Sequence, residues 1–158
     1  MGLPGAGEGS RAKGAKGAKA GRTVLLVEDD PDVRDVLEDE LEDGGYTVFP
    51  AANGKQALDF LILNRPEKAD VVILDLMMPM VSGWEVLDQM HANPQLADIP
   101  VIVLSAMSLD RPEPQGGKPR GPRSSFNVRK FIPKPFSLVQ IFDALSGVFD
   151  PGRVKPAP

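Results

Sequence analysis

The sequence predicts an α/β fold, a doubly wound parallel sheet of five strands with helices on both faces. Short continuous apolar runs such as Thr23–Val27 (TVLLV) and Val71–Leu74 (VVIL) are the pattern of strands buried on both faces. Segments with apolar residues at helical spacing separate these runs, so strand and helix alternate along the chain. The 16 glycines and 16 prolines are also unevenly placed. Residues 1–22 hold eight of them, 108–125 seven and 151–158 four, which leaves 13 in the other 110 of the 158 residues. That remainder, about 12%, has ordinary globular composition. The expected organisation is a disordered basic tail over 1–21, a compact domain over 22–150 with an irregular insert at 108–128, and a disordered tail over 151–158.

The elements follow in order. Thr23–Val27 is the first strand, and three acids follow it, Glu28, Asp29 and Asp30. Asp30 is placed to cap a helix with Pro31 at its first position. Val33, Val36, Leu37 and Leu41 form that helix's apolar face, and Gly44–Gly45 stops it. Tyr46–Phe49 is the second strand. Asn53 caps a second helix with Ala57, Leu58, Leu61 and Ile62 inward. The third strand, Val71–Leu74, runs into Asp75. Ser82 or Gly83 opens a helix through Met90 that turns Val86, Leu87 and Met90 inward. Ile99–Leu104 is a fourth strand ending in Ser105, Arg129–Ile132 a fifth, and Ser137 caps a last helix through Phe149. The crossover between strands four and five contains Pro112, Pro114, Pro119 and Pro122. Each interior proline costs a helix about 3 kcal/mol, so a regular helix is not expected there.

Composition excludes several classes. With no cysteine there is no disulfide, thiolate metal site or thiol nucleophile. The one histidine, His91, is read as a surface residue, and it leaves no basis for a His-rich zinc site or a Ser-His-Asp hydrolase. No apolar run approaches the roughly 18–20 residues of a membrane span, and the first 22 residues lack the apolar centre of a secretory signal. An intracellular, cytoplasmic protein is expected. Residues 1–22 carry Arg11, Lys13, Lys16, Lys19 and Arg22 against Glu8, a net +4 in a chain of net −4. No aromatic residue interleaves them, so base stacking is not indicated.

In an open α/β sheet, ligands bind beyond the carboxyl ends of the strands. Those ends present Glu28 and Asp29, then Asp75, then Ser105, with Lys134 past the fifth strand. Clustered carboxylates repel and raise one another's pKa unless a cation neutralises them. A hard, oxygen-loving ion that keeps several waters, Mg²⁺, suits such a donor set. An aspartate between that ion and a lysine is placed to attack phosphorus, with metal and ammonium balancing the transferred charge.

With these residues in view, the chain resembles the CheY-like response-regulator receiver domains of two-component signalling. The matching segments are LLVEDDPDVRDVL at 25–37, VVILDLMMPMVSGWEVL at 71–87, PVIVLSA at 100–106 and FIPKPFSL at 131–138. The resemblance implies that Asp75 is the phosphoacceptor and that Glu28 and Asp29 are the acidic pair. Asp29 would contact Mg²⁺ directly, Glu28 through water, and the backbone carbonyl of Met77 would add a ligand. Ser105 corresponds to the hydroxyl that bonds the phosphoryl oxygen, Lys134 to the family's lysine and Phe131 to its switch aromatic, with a cis Lys134–Pro135 bond. The implied partners are a sensor histidine kinase or phosphotransfer protein and a downstream protein effector. The implied chemistry is self-phosphorylation and slow self-dephosphorylation rather than enzymatic turnover. Met77 and Met107 stand where apolar side chains cannot orient a hydrolytic water.

The sequence departs from the family pattern in one respect. The family's fourth helix, between strands four and five, is expected to be largely absent or disordered, which alters the usual output face. Only PGRVKPAP follows Asp150, which favours a stand-alone receiver. Three competing readings stand beside this one. An aspartyl-phosphate phosphatase would need a second aspartate where Met77 stands. A phosphorylation-independent scaffold would have no use for the full acidic and basic set. A nucleic-acid tether would act through the N-terminal tail.

Overall fold

The computed structural model describes residues 21–63, 69–105 and 126–150. Most of the predicted insert and nearly all of both expected tails lie outside them, as does Met107. The described chain runs β1 (Thr23–Val27), α1 (Pro31–Asp43), β2 (Thr47–Ala51), α2 (Gly54–Leu63), β3 (Val71–Asp75), α3 (Gly83–Ala92), β4 (Val101–Ser105), β5 (Val128–Pro133) and α4 (Leu138–Phe149). The five strands form one sheet in the order β2-β1-β3-β4-β5, and every pairing is parallel.

Alternation along the central strands divides the core in two. Leu25, Val27, Val72, Leu74, Val101 and Val103 face the α2–α3 side. Val24, Leu26, Val71, Ile73, Ile102 and Leu104 face α1 and α4, where they meet Leu37, Leu41, Ile141 and Leu145. Because β1 leads to β2 on one side and β3 lies on the other, the chain reverses direction between β1 and β3. A crevice opens at that point beyond the strand ends.

Local chemistry sets the helix starts. The Asp30 side chain accepts from the Asp32 and Val33 amides, and Pro31 begins α1. Asn53 accepts the Gln56 amide at 2.9 Å at the start of α2. Ser82 and Ser137 each close a reciprocal capping box, with Glu85 and Gln140.

The structure differs from the sequence reading at several points. Val36 and Ile62, assigned to apolar faces, are 55% and 46% exposed. Each lies at the margin of a narrower buried stripe made by Leu37 and Leu41 or by Ala57 and Leu61. β2 continues through Pro50, which an edge strand tolerates because one side of its backbone has no ladder partner. β4 starts at Val101 rather than Ile99, and β5 starts one residue early, at Val128. Trp84, on the first turn of α3, is fully buried.

Met80, in the loop after β3, has φ 68° and is 85% exposed. A side chain in this left-handed region costs about 1–2 kcal/mol, and glycine avoids that cost while losing some chain entropy. Met80→Gly is expected to raise stability by about 0.5–1 kcal/mol in urea unfolding. A lower midpoint would contradict this reading of the loop.

Candidate functional site

The strand ends bring most of the predicted residues together. Glu28 follows β1 and is fully buried. Its amide donates to the Ala51 carbonyl at 3.1 Å. Its Oε2 accepts the Asp30 amide at 3.1 Å, and its Oε1 accepts from the Lys134 ammonium at 2.9 Å. Asp75, at the end of β3 and also buried, accepts the Met77 amide on Oδ1 at 3.0 Å. Its Oδ2 accepts from the same Lys134 Nζ at 3.2 Å. Lys134 therefore bridges two buried carboxylates. Asp29 is exposed at the mouth, and one carboxylate oxygen each from Glu28, Asp29 and Asp75 lie within 4.8 Å of one another.

Ser105 ends β4 and is fully buried. Its carbonyl accepts the Lys134 amide at 3.1 Å, which places the β5–α4 turn beside it. The Lys134–Pro135 bond is cis. Met77 is 46% exposed. Phe131, on β5, is half-buried and packs against the apolar cluster on the α2–α3 side rather than joining the charged group. His91, near the end of α3, meets Phe126 edge-on with ring centroids 5.8 Å apart.

The electrostatics follow from burial. Desolvation raises the Asp75 carboxyl from 3.8 to about 6. The Met77 amide opposes the shift, the Glu28 charge adds to it, and the Lys134 ammonium opposes it. Burial pulls Lys134 downward, but the hydrogen bond to Glu28 and the charges of Asp75 and Glu28 outweigh it, and its net shift is upward. Three oxygen donors with one ammonium between two of them form a site that favours added positive charge. The donor set is the hard, all-oxygen type that suits Mg²⁺.

Two further contributors escaped the sequence reading. Gly83, at the start of α3, donates to the Leu76 carbonyl at 3.1 Å. A Cβ there would collide with the Asp75 carbonyl oxygen and lie 2.6 Å from the Leu76 Cα. Backbone cannot swing aside as a side chain can, so Gly83→Ala must displace either α3 or the Asp75 turn. The expected cost is about 3 kcal/mol in urea unfolding, and an unchanged midpoint would contradict it. The second is Arg34 on α1, whose Nη1 donates to the Glu28 carbonyl at 2.9 Å. It is the one basic residue in a helix with seven acids (PDVRDVLEDELED), a sequence signal that could have singled it out.

A doubly wound sheet with an acidic crevice at its switch point defines a class, and comparison with known proteins agrees with it. Residues 24–146 match the response regulator receiver domain model, and the chain belongs to that family. Response regulator MprA of Mycobacterium sp. (strain KMS) is 36% identical over 139 residues, which cover 85% of this chain and 55% of the relative. The chain thus spans about half the length of such relatives. Among solved structures, Vibrio cholerae chemotaxis protein CheY4 superposes with a TM-score of 0.66 at 26% identity, over 82% of this chain and 99% of that one. Response regulator TrrA of Thermotoga maritima, solved in complex with Mg²⁺-BeF, gives 0.62 at 28% identity, over 80% and 98%. The fold is the CheY-like one expected, and the family places the chain in phosphorelay signalling. No helix among the described residues is long and apolar enough to cross a membrane.

Proposed function

We propose that the chain is a phosphoacceptor switch in which Asp75 takes a phosphoryl group from a histidine kinase or phosphotransfer protein. The observation that carries this reading is the position of the Asp75 carboxylate. It is buried, held by the Met77 amide and Lys134, and grouped with Glu28 and Asp29. Glu28, Asp29, Asp75 and the Met77 carbonyl would hold the ion; that the similar TrrA was solved in complex with Mg²⁺-BeF supports Mg²⁺ as that ion. When bound, the ion neutralises the carboxylates and offsets charge on the phosphoryl oxygens.

Asp75 contributes the nucleophilic oxygen. As its bond to phosphorus forms in line, the phosphorus–nitrogen bond of the donor phosphohistidine breaks, and the imidazole departs with its electron pair. Lys134 already lies beside Oδ2 and offsets the growing charge without reorganisation. Ser105, at the end of the neighbouring strand, supplies a hydroxyl to the phosphoryl oxygen. Its inward movement vacates space for the half-buried ring of Phe131, and the altered β4–β5 face engages a downstream protein. Apolar Met77 and Met107 leave the acyl phosphate long-lived, and a half-life of seconds at room temperature would contradict that. The receiver domain spans residues 22–150 and acts in the cytoplasm.

The test is incubation with acetyl phosphate and Mg²⁺, read by intact mass. Wild type is expected to gain one phosphoryl group and Asp75→Ala none. No adduct on wild type, or an adduct that survives the substitution, would overturn the assignment and leave the scaffold reading in its place.

A further inference from the structure

We propose that Arg34 is a positioning residue for the acidic pair, holding Asp29 in the orientation that the metal site requires. The inference rests on the reading of Glu28, Asp29 and Asp75 as that site. Asp29 is exposed, so packing does not fix it; its two flanking peptide groups do. A peptide unit is planar, so the Glu28 carbonyl and the Asp29 amide turn together. Arg34 Nη1 holds that first plane through the Glu28 oxygen at 2.9 Å. The second plane carries the Asp30 amide, which Glu28 Oε2 holds at 3.1 Å. With both planes pinned, the backbone angles of Asp29 are set. Arg34 is itself rigidly based, because its amide donates to the Asp30 carbonyl at 2.9 Å in the first turn of α1. Helix α1 thus reaches back and clamps the turn that precedes it.

The sign of the effect separates this role from simple electrostatics. A guanidinium on the Glu28 carbonyl, one residue from Asp29, repels an incoming cation, so removing its charge alone would tighten Mg²⁺ binding. Removing a clamp loosens it. Metal-site partners beyond the ligands commonly change affinity by 10-fold or more.

The test uses the full chain with Arg34→Gln and Arg34→Lys. Calorimetric titration with Mg²⁺ is expected to show binding about 10-fold weaker in Arg34→Gln and partly restored in Arg34→Lys, which keeps a donor. Amide hydrogen exchange without metal is expected to show Asp30 losing protection in Arg34→Gln and keeping more of it in Arg34→Lys. Unchanged or tighter Mg²⁺ binding in Arg34→Gln would overturn the proposal. So would unchanged Asp30 exchange, or a stability loss shared equally by both variants with no change at Asp30. A wild-type chain that binds no Mg²⁺ counts against the metal reading alone, because the exchange arm still decides the role of Arg34.

Discussion

Asp75→Asn is expected to stabilise the metal-free protein at pH 8, by up to about 3 kcal/mol. Burial raises the folded-state pKa of Asp75 from 3.8 to about 6. Between those values the folded chain holds a proton that the unfolded chain has released. Stability contributed by this group therefore falls as pH rises through that window, and the penalty is complete above it. Asparagine has nothing to ionise, and its oxygen can still accept the Met77 amide, so the variant escapes the penalty. Below about pH 4 both states of the wild type are protonated, and the advantage should vanish. Urea unfolding in a chelator, at pH 8 and pH 4, checks this. Equal or lower stability of the variant at pH 8 would contradict it. Mg²⁺ should raise the wild-type midpoint at pH 8 and affect Asp75→Asn much less, because binding to the folded state alone stabilises it.

Lys134→Met acts in the opposite direction. One ammonium serves both Glu28 at 2.9 Å and Asp75 at 3.2 Å. Removing one partner of a buried charge group leaves the rest uncompensated, which costs about 3–5 kcal/mol when burial is complete. The Lys134 side chain is 26% exposed, so solvent screening reduces the expected loss to about 2–3 kcal/mol. Without the ammonium, Asp75 retains its proton to higher pH. The destabilisation should therefore be largest at pH 8 and smaller at pH 5, where Asp75 in the variant is protonated. A variant as stable as wild type at pH 8 would show that Lys134 does not hold the two carboxylates together. The double variant Asp75→Asn with Lys134→Met should lose less than Lys134→Met alone, because one of the two stranded charges is then absent.

How much of this was legible in the sequence depends on how local the physics is. β1 and β3 are apolar at nearly every position and were read with almost their observed bounds, since burial on both faces leaves no choice of register. Asp30 and Ser137 are legible as caps, and Ser82 as one of two candidates to open its helix, because a helix start is decided within four residues. Val36 and Ile62 were misassigned because helical spacing gives the direction of the buried stripe and not its width, which neighbouring elements set. Pro50 falls outside the predicted second strand because only the strand order reveals that β2 is an edge. The acids and the lysine of the site were legible as a group at the strand ends. The shared ammonium, however, joins residues 106 positions apart, and no local pattern encodes which oxygens it reaches. Gly83 and Arg34 were missed for a related reason: their work is done on backbone atoms, whose positions a list of side chains does not show.

Locating the phosphoryl group itself decides whether Asp75 is the acceptor. After treatment with acetyl phosphate and Mg²⁺, the protein is digested under conditions that preserve acyl phosphates and the adduct is mapped by mass spectrometry. A single adduct site, Asp75, is expected, and it is lost when Mg²⁺ is chelated before the donor is added. An adduct on Asp29, Ser105 or any other residue, or one indifferent to Mg²⁺, would contradict it.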